Sequence, residues 1–107
     1  MRKICLAFPE TYEEETWGVA TFRVQKKIFA MVASEDGRVS ASMKASREDQ
    51  TAMLFQGDPF FYPPYVGSKG WIGIQLRSAA VDWAEVSEVV QESYRLVAPR
   101  RLSAGMD

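Results

Sequence analysis

Apolar residues fall at every second position in several stretches of the chain and at helical spacing in another, which lays out an order of elements. Residues 21–25 alternate, with Phe22 and Val24 on one side and Thr21, Arg23 and Gln25 on the other, the period of a strand with one buried face. Residues 28–33 form a continuous apolar run between Lys26-Lys27 and Ser34-Glu35-Asp36-Gly37, whose Asp-Gly pair predicts a tight hairpin. Beyond that turn Val39, Ala41 and Met43 alternate with Arg38, Ser40, Ser42 and Lys44, so three consecutive strands make an antiparallel meander. Ser46 with Asp49 reads as a helix cap, and Ala52, Met53 and Phe55 lie on the helix it opens, which Gly57 ends.

Residues 58–70 are rich in proline, glycine and aromatic side chains, a composition that forbids a central strand and predicts an ordered loop or an edge strand. Alternation resumes in residues 71–77, with Ile72, Ile74 and Leu76 inward and Trp71, Gly73, Gln75 and Arg77 outward. Asp82 and Glu85 start a last helix on which Trp83, Val86, Val90 and Val97 recur at helical spacing, and Pro99 stops it. At the other end, Ile4, Leu6, Ala7 and Phe8 make a short helical turn closed by Pro9. Glu10, Glu13, Glu14 and Glu15 read as an acidic connection leading to a turn at Trp17-Gly18. The expected fold is one α+β domain over residues 1–107, a two-layer sandwich in which helices cover one face of an antiparallel sheet of four to five strands.

Composition narrows the chemistry. At 107 residues and 47% hydrophobic content, the chain can bury one core. It contains no histidine and one cysteine, which removes the commonest general base and any thiolate zinc site, and predicts no enzymatic activity, metal or cofactor. Cys5 lies in an apolar stretch and reads as a buried, inert thiol. No leader-like segment or long apolar run is present, so a soluble cytoplasmic protein without a membrane partner is expected. The glutamate run lacks the oxygen spacing of a calcium loop and reads as solvated. Neither a nucleophile elbow nor a Walker spacing occurs, and Gly67-Ser68-Lys69-Gly70 reads as a turn with an exposed lysine.

Net charge is −1, so any affinity for a polyanion has to be local. The predicted strands carry Arg23, Lys26, Lys27, Arg38, Lys44 and Arg77 and, over residues 21–34, 38–44 and 71–77, no aspartate or glutamate. With apolar positions turned to the helices, the open face presents Arg23, Arg38, Lys44, Arg77 and Gln75 beside Trp71. Two readings stay open: a solvated sheet face, since strands are depleted in acidic residues for packing reasons, or a platform whose cations track phosphates while an aromatic stacks on a base. The aromatic loop carrying Phe60, Phe61, Tyr62 and Tyr65, with Trp71, offers a different expectation, an apolar pocket for a small ligand or a protein partner.

Several segments, taken in order, carry a resemblance. Residues 4–9 (Ile-Cys-Leu-Ala-Phe-Pro), Trp17-Gly18, Phe22-Arg23-Val24, Lys27-Ile28-Phe29-Ala30, Tyr65-Val66-Gly67, Gly70-Trp71-Ile72, Glu92-Ser93-Tyr94-Arg95 and Ala98-Pro99 resemble the MmcQ/YjbR family. The resemblance implies a CyaY-like (frataxin-like) fold and a DNA-binding role, and brings no enzymatic activity. Family members usually begin with a longer helix before the Cys-Leu-Ala-Phe-Pro-like segment, so the first helix is expected to be short here. The iron-binding ridge of frataxins is not carried over, because the glutamates follow Pro9 instead of lying on an extended first helix. Arg23, Lys27, Arg38, Lys44, Lys69 and Trp71 are the expected DNA contacts, weak and salt-sensitive; Phe60, Tyr62, Tyr65 and Trp71 are the contacts of the alternative.

Overall fold

Six strands form one antiparallel sheet in the computed structural model, which describes residues 1–104. They are β1 (Thr11–Thr16), β2 (Val19–Val24), β3 (Lys27–Glu35), β4 (Arg38–Lys44), β5 (Phe60–Phe61) and β6 (Trp71–Gln75), in the order β1-β2-β3-β4-β6-β5. The helices are α1 (Arg2–Leu6), α2 (Arg47–Gln56), α3 (Trp83–Val97) and α4 (Arg100–Ser103). The α+β class and the meander are as expected. The strand count is not: six strands replace four to five, because the acidic segment is itself a strand. β1 pairs only with β2, so it must satisfy one ladder and pack one neighbour. Two of its three glutamates are paired within the fold, Glu14 with Arg23 (3.0 Å) and Glu13 with Arg2.

Directly opposed residues of an antiparallel sheet share a face, and the register separates the two faces cleanly. Phe22, Ala30, Met43 and Ile72 form one row, and Ala20, Val32, Ala41, Ile74 and Phe60 the next. These rows meet Cys5 of α1 and Val86, Val90 and Tyr94 of α3 in the core. The caps read from the sequence form: Ser46 Oγ accepts the Asp49 N–H (3.0 Å) and Asp82 Oδ1 the Ala84 N–H (2.9 Å). α1 has only five residues and could not persist alone. It is held by Cys5, and just beyond it Phe8 stacks on the Tyr94 ring at 4.9 Å while the Tyr94 hydroxyl donates to the Pro9 carbonyl (2.8 Å).

β3 carries a bulge. Phe22 opposes Ala30 but Arg23 opposes Ile28, leaving Phe29 as the extra residue. The bulge turns Phe29 into the core, edge-on to Tyr94 at 5.5 Å. It also interrupts the β3–β4 ladder, whose register ends at Ala30–Met43 and would next set Phe29 opposite Lys44. A side chain fills that gap: Ser93 Oγ of α3 accepts the Lys44 N–H (2.9 Å) and donates to the Phe29 carbonyl (2.6 Å). Ser93 is fully buried.

Burial pushes the Cys5 thiol up to about 12 from its ordinary value of 9.0, in keeping with the inert thiol expected. An acid whose pKa is raised by folding contributes stability that is present below its unfolded value and lost as pH rises through the folded one. Stability should therefore decline between about pH 9 and 12. A Cys5→Ala variant should show a shallower decline in urea titrations across that range, after allowance for tyrosine ionisation.

Candidate nucleic-acid interface

The strand order gathers cations at one end of the sheet. The β2–β3 turn, the end of β4 and the start of β6 lie side by side there, bringing together Lys26, Lys27, Lys44 and Trp71. Lys44 and Trp71 are direct cross-strand partners on the face that the helices leave uncovered, and both are half-buried. The turn of 3-10 helix Gly67–Lys69 leads into β6 and adds an exposed Lys69.

Hydrogen bonds from α2 fix this end. Arg47 donates to the Ser68 carbonyl (2.8 Å), and buried Gln50 donates from Nε2 to both the Gly67 and Trp71 carbonyls (2.8 Å each). The Lys69 turn and the first residue of β6 are thus tied to one helix. Nothing in the sequence pattern marked Gln50, a polar residue on a predicted helix; its burial is the feature that assigns its role.

The predicted contacts divide. Arg23 is on the open face at this end but is only 18% exposed, pairing with Glu14 and donating to Thr21 (3.2 Å) and Thr16 (3.0 Å) hydroxyls. It holds β1 to β2. Lys27 is exposed, but the bulge at Phe29 sets it opposite Val24, on the helix-side register and not beside Arg23. Arg38 is brought to the opposite end of the sheet, across from Glu35 in the β3–β4 hairpin, with Arg77 donating to the Gly37 carbonyl nearby (3.3 Å). Lys44, Lys69 and Trp71 remain together with Lys26, Lys27 and Arg47.

The aromatic loop also divides. Phe60 is in the core, opposite Ile74, and Phe61 folds across Gly73, where any Cβ would collide with its ring. Tyr62 lies against Gly67, whose ideal Cβ would sit 2.6 Å from that ring. Tyr65 alone stands free, 93% exposed with φ 66°. The loop therefore does not enclose an apolar pocket of Phe60, Tyr62, Tyr65 and Trp71.

The β2–β3 turn holds Gln25 and Lys26 at φ 51° and 68°, a left-handed conformation that side chains resist by roughly 1–2 kcal/mol per residue. Arg23 bonding the Lys26 carbonyl and Gln25 bonding Glu10 brace it. Replacing Gln25-Lys26 by Asn-Gly should raise stability by about 1 kcal/mol in thermal melts. Outside this end, Arg101 of α4 pairs with Glu10 at 2.9 Å, so the second arginine beyond Pro99 is engaged by the protein itself. That bond, and the one from Arg2, hold the Glu10 and Glu13 carboxyls below their ordinary values. No cluster of three metal-ligating side chains occurs among the described residues, and no helix among them is long and apolar enough to cross a membrane.

Comparison with known proteins places this geometry in a context. The YjbR family model matches residues 6–96. No curated protein matches the sequence. Among solved structures, a Deinococcus radiodurans protein with a DUF419 domain is similar with a TM-score of 0.77 at 18% identity, over 89% of this chain and 73% of that one. A Pseudomonas syringae protein is similar with a TM-score of 0.68 at 16% identity, over 83% and 88%. At such identities the likeness shows the fold alone.

Proposed function

The chain belongs to the YjbR family, and from that premise we propose that it is a non-enzymatic protein that binds DNA weakly at the basic end of its sheet. The observation that carries the reading is that Lys26, Lys27, Lys44, Arg47 and Lys69 lie at the same end of the sheet as Trp71. Lysines on turns, without a helix placed to enter a groove, suit phosphate contact and not base reading. Trp71, or the projecting Tyr65, can stack on an unpaired base, a contact of roughly 1–3 kcal/mol. The reading includes a CyaY-like fold for the helix-covered antiparallel sheet and a reducing, cytoplasmic location, which suits a single unpaired thiol.

Fluorescence anisotropy of labelled single- and double-stranded DNA tests it. Engagement of about four phosphates should weaken binding about a hundredfold between 50 and 200 mM salt. Lys27→Glu with Lys69→Glu should abolish it while Arg38→Glu, at the far end, leaves it nearly unchanged. Salt-independent binding, no binding at low salt, or equal loss in Arg38→Glu would each overturn the proposal. A second reading, a protein-contact module, rests on the exposure of Tyr65; its sign is an interaction insensitive to salt and lost in Tyr65→Ala.

A further inference from the structure

A second concave site lies at the opposite end of the open face and does not depend on the DNA reading. Its floor is the cross-strand row Ala33–Ser40–Gln75, where the small side chains of Ala33 and Ser40 leave the sheet surface low. Phe61, folded over Gly73, and Pro64 form one wall; the β3–β4 hairpin with Glu35, Asp36 and Arg38 forms the other. The groove is open to solvent on one side and has a volume of about 550 Å³, inside the range of about 300–1,000 Å³ of small-molecule sites.

The chemistry of this groove is specific. The Ser40 hydroxyl and the Gln75 side-chain amide line the floor. Glu35 and Arg38 oppose each other directly on this face, yet no ion pair within 4.0 Å joins them among the described residues. One wall therefore offers the Arg38 cation beside two carboxylates, Glu35 and Asp36, and the other offers only apolar surface.

We propose that this groove binds a small zwitterion with an apolar side chain, of the free α-amino-acid class. The ligand carboxylate meets the Arg38 guanidinium, where paired N–H donors suit a planar carboxylate. Its ammonium meets Glu35, Ser40 and Gln75 complete the polar contacts from below, and the side chain lies against Phe61 and Pro64. Arg38 thereby has a use that its separation from the basic end of the sheet leaves open.

Titration of ¹⁵N-labelled protein with L-phenylalanine tests the proposal, since the amide spectrum reports both folding and binding. Saturable shifts at Ala33, Ser40 and Gln75 are expected, with glycine, N-acetyl-L-phenylalanine and L-phenylalanine amide each about tenfold weaker or worse. Arg38→Ala should weaken L-phenylalanine binding about tenfold without disturbing the remaining spectrum. Ala33→Leu, which fills the floor, should abolish binding by another route. The idea fails if no shift saturates at millimolar ligand, if the blocked analogues bind as well as the free amino acid, or if Arg38→Ala and Ala33→Leu bind normally.

Discussion

Tyr94→Ala is expected to destabilise the fold by about 3–5 kcal/mol, the range for deleting a large buried aromatic side chain. Tyr94 is 0% exposed, and its ring is the surface on which Phe8 stacks and against which Phe29 sets its edge. Truncation leaves a cavity where three rings met and frees the Pro9 carbonyl from its hydroxyl donor. Because α1 is a single turn and a half, the loss should be felt unevenly, with residues 1–9 exchanging amide protons before the sheet does. Tyr94→Phe separates the contributions: it keeps the stack and should cost only about 1 kcal/mol. Urea denaturation read by tryptophan fluorescence, with hydrogen exchange for the N-terminal amides, decides the matter. A Tyr94→Ala protein as stable as the parent would show that the aromatic cluster is not what secures α1.

Ser93→Ala is expected to cost about 2–4 kcal/mol although it removes a single oxygen, since each orphaned buried backbone group costs about 1–3 kcal/mol. Ser93 bridges the Lys44 N–H and the Phe29 carbonyl across the gap that the bulge opens in the β3–β4 ladder. Its loss leaves both without a partner unless a water takes its place, and the site is closed to solvent. Ser93→Gly, which makes room for such a water, should be less destabilising than its helix propensity alone implies. A Ser93→Ala penalty below about 0.5 kcal/mol would mean that β3 and β4 close directly on one another once the serine is gone.

Much of this architecture was legible because the buried strands alternate and the helices announce their caps. Ser46, Asp82, the Asp-Gly hairpin and the inward set of Ile72 and Ile74 all stand where the pattern put them. β1 escaped the pattern because an edge strand with three successive glutamates has no apolar alternation; the signal lies in its partners Arg2 and Arg23, far away in sequence. Lys27 was assigned no face because a continuous apolar run does not reveal which of its members is the bulge, and every residue before the bulge changes side. Ser93 did leave a trace. It falls on the same helical stripe as Val86, Val90 and Val97, and a polar residue on a buried stripe asks what it is bonded to. The basic end was half legible: Lys44, Lys69 and Trp71 were named, but which turns lie side by side is a property of strand order, which spacing along one chain does not encode.

The glutamates of β1 have a consequence beyond the pairs they make. An outer strand exposes a row of unsatisfied backbone donors and acceptors, an open invitation to a strand from another molecule. On one flank of this sheet that row runs beside Glu13 and Glu14, paired to Arg2 and Arg23, and Glu15, which has no ion pair among the described residues and whose charge would confront that of a second copy arriving in the same way. On the other flank β5 is two residues long and is followed by Pro63 and Pro64, which leave no regular ladder to extend. The borders of the sheet thus resist self-association, and neutralising the three glutamates with threonine would convert the β1 border into a nucleus for aggregation.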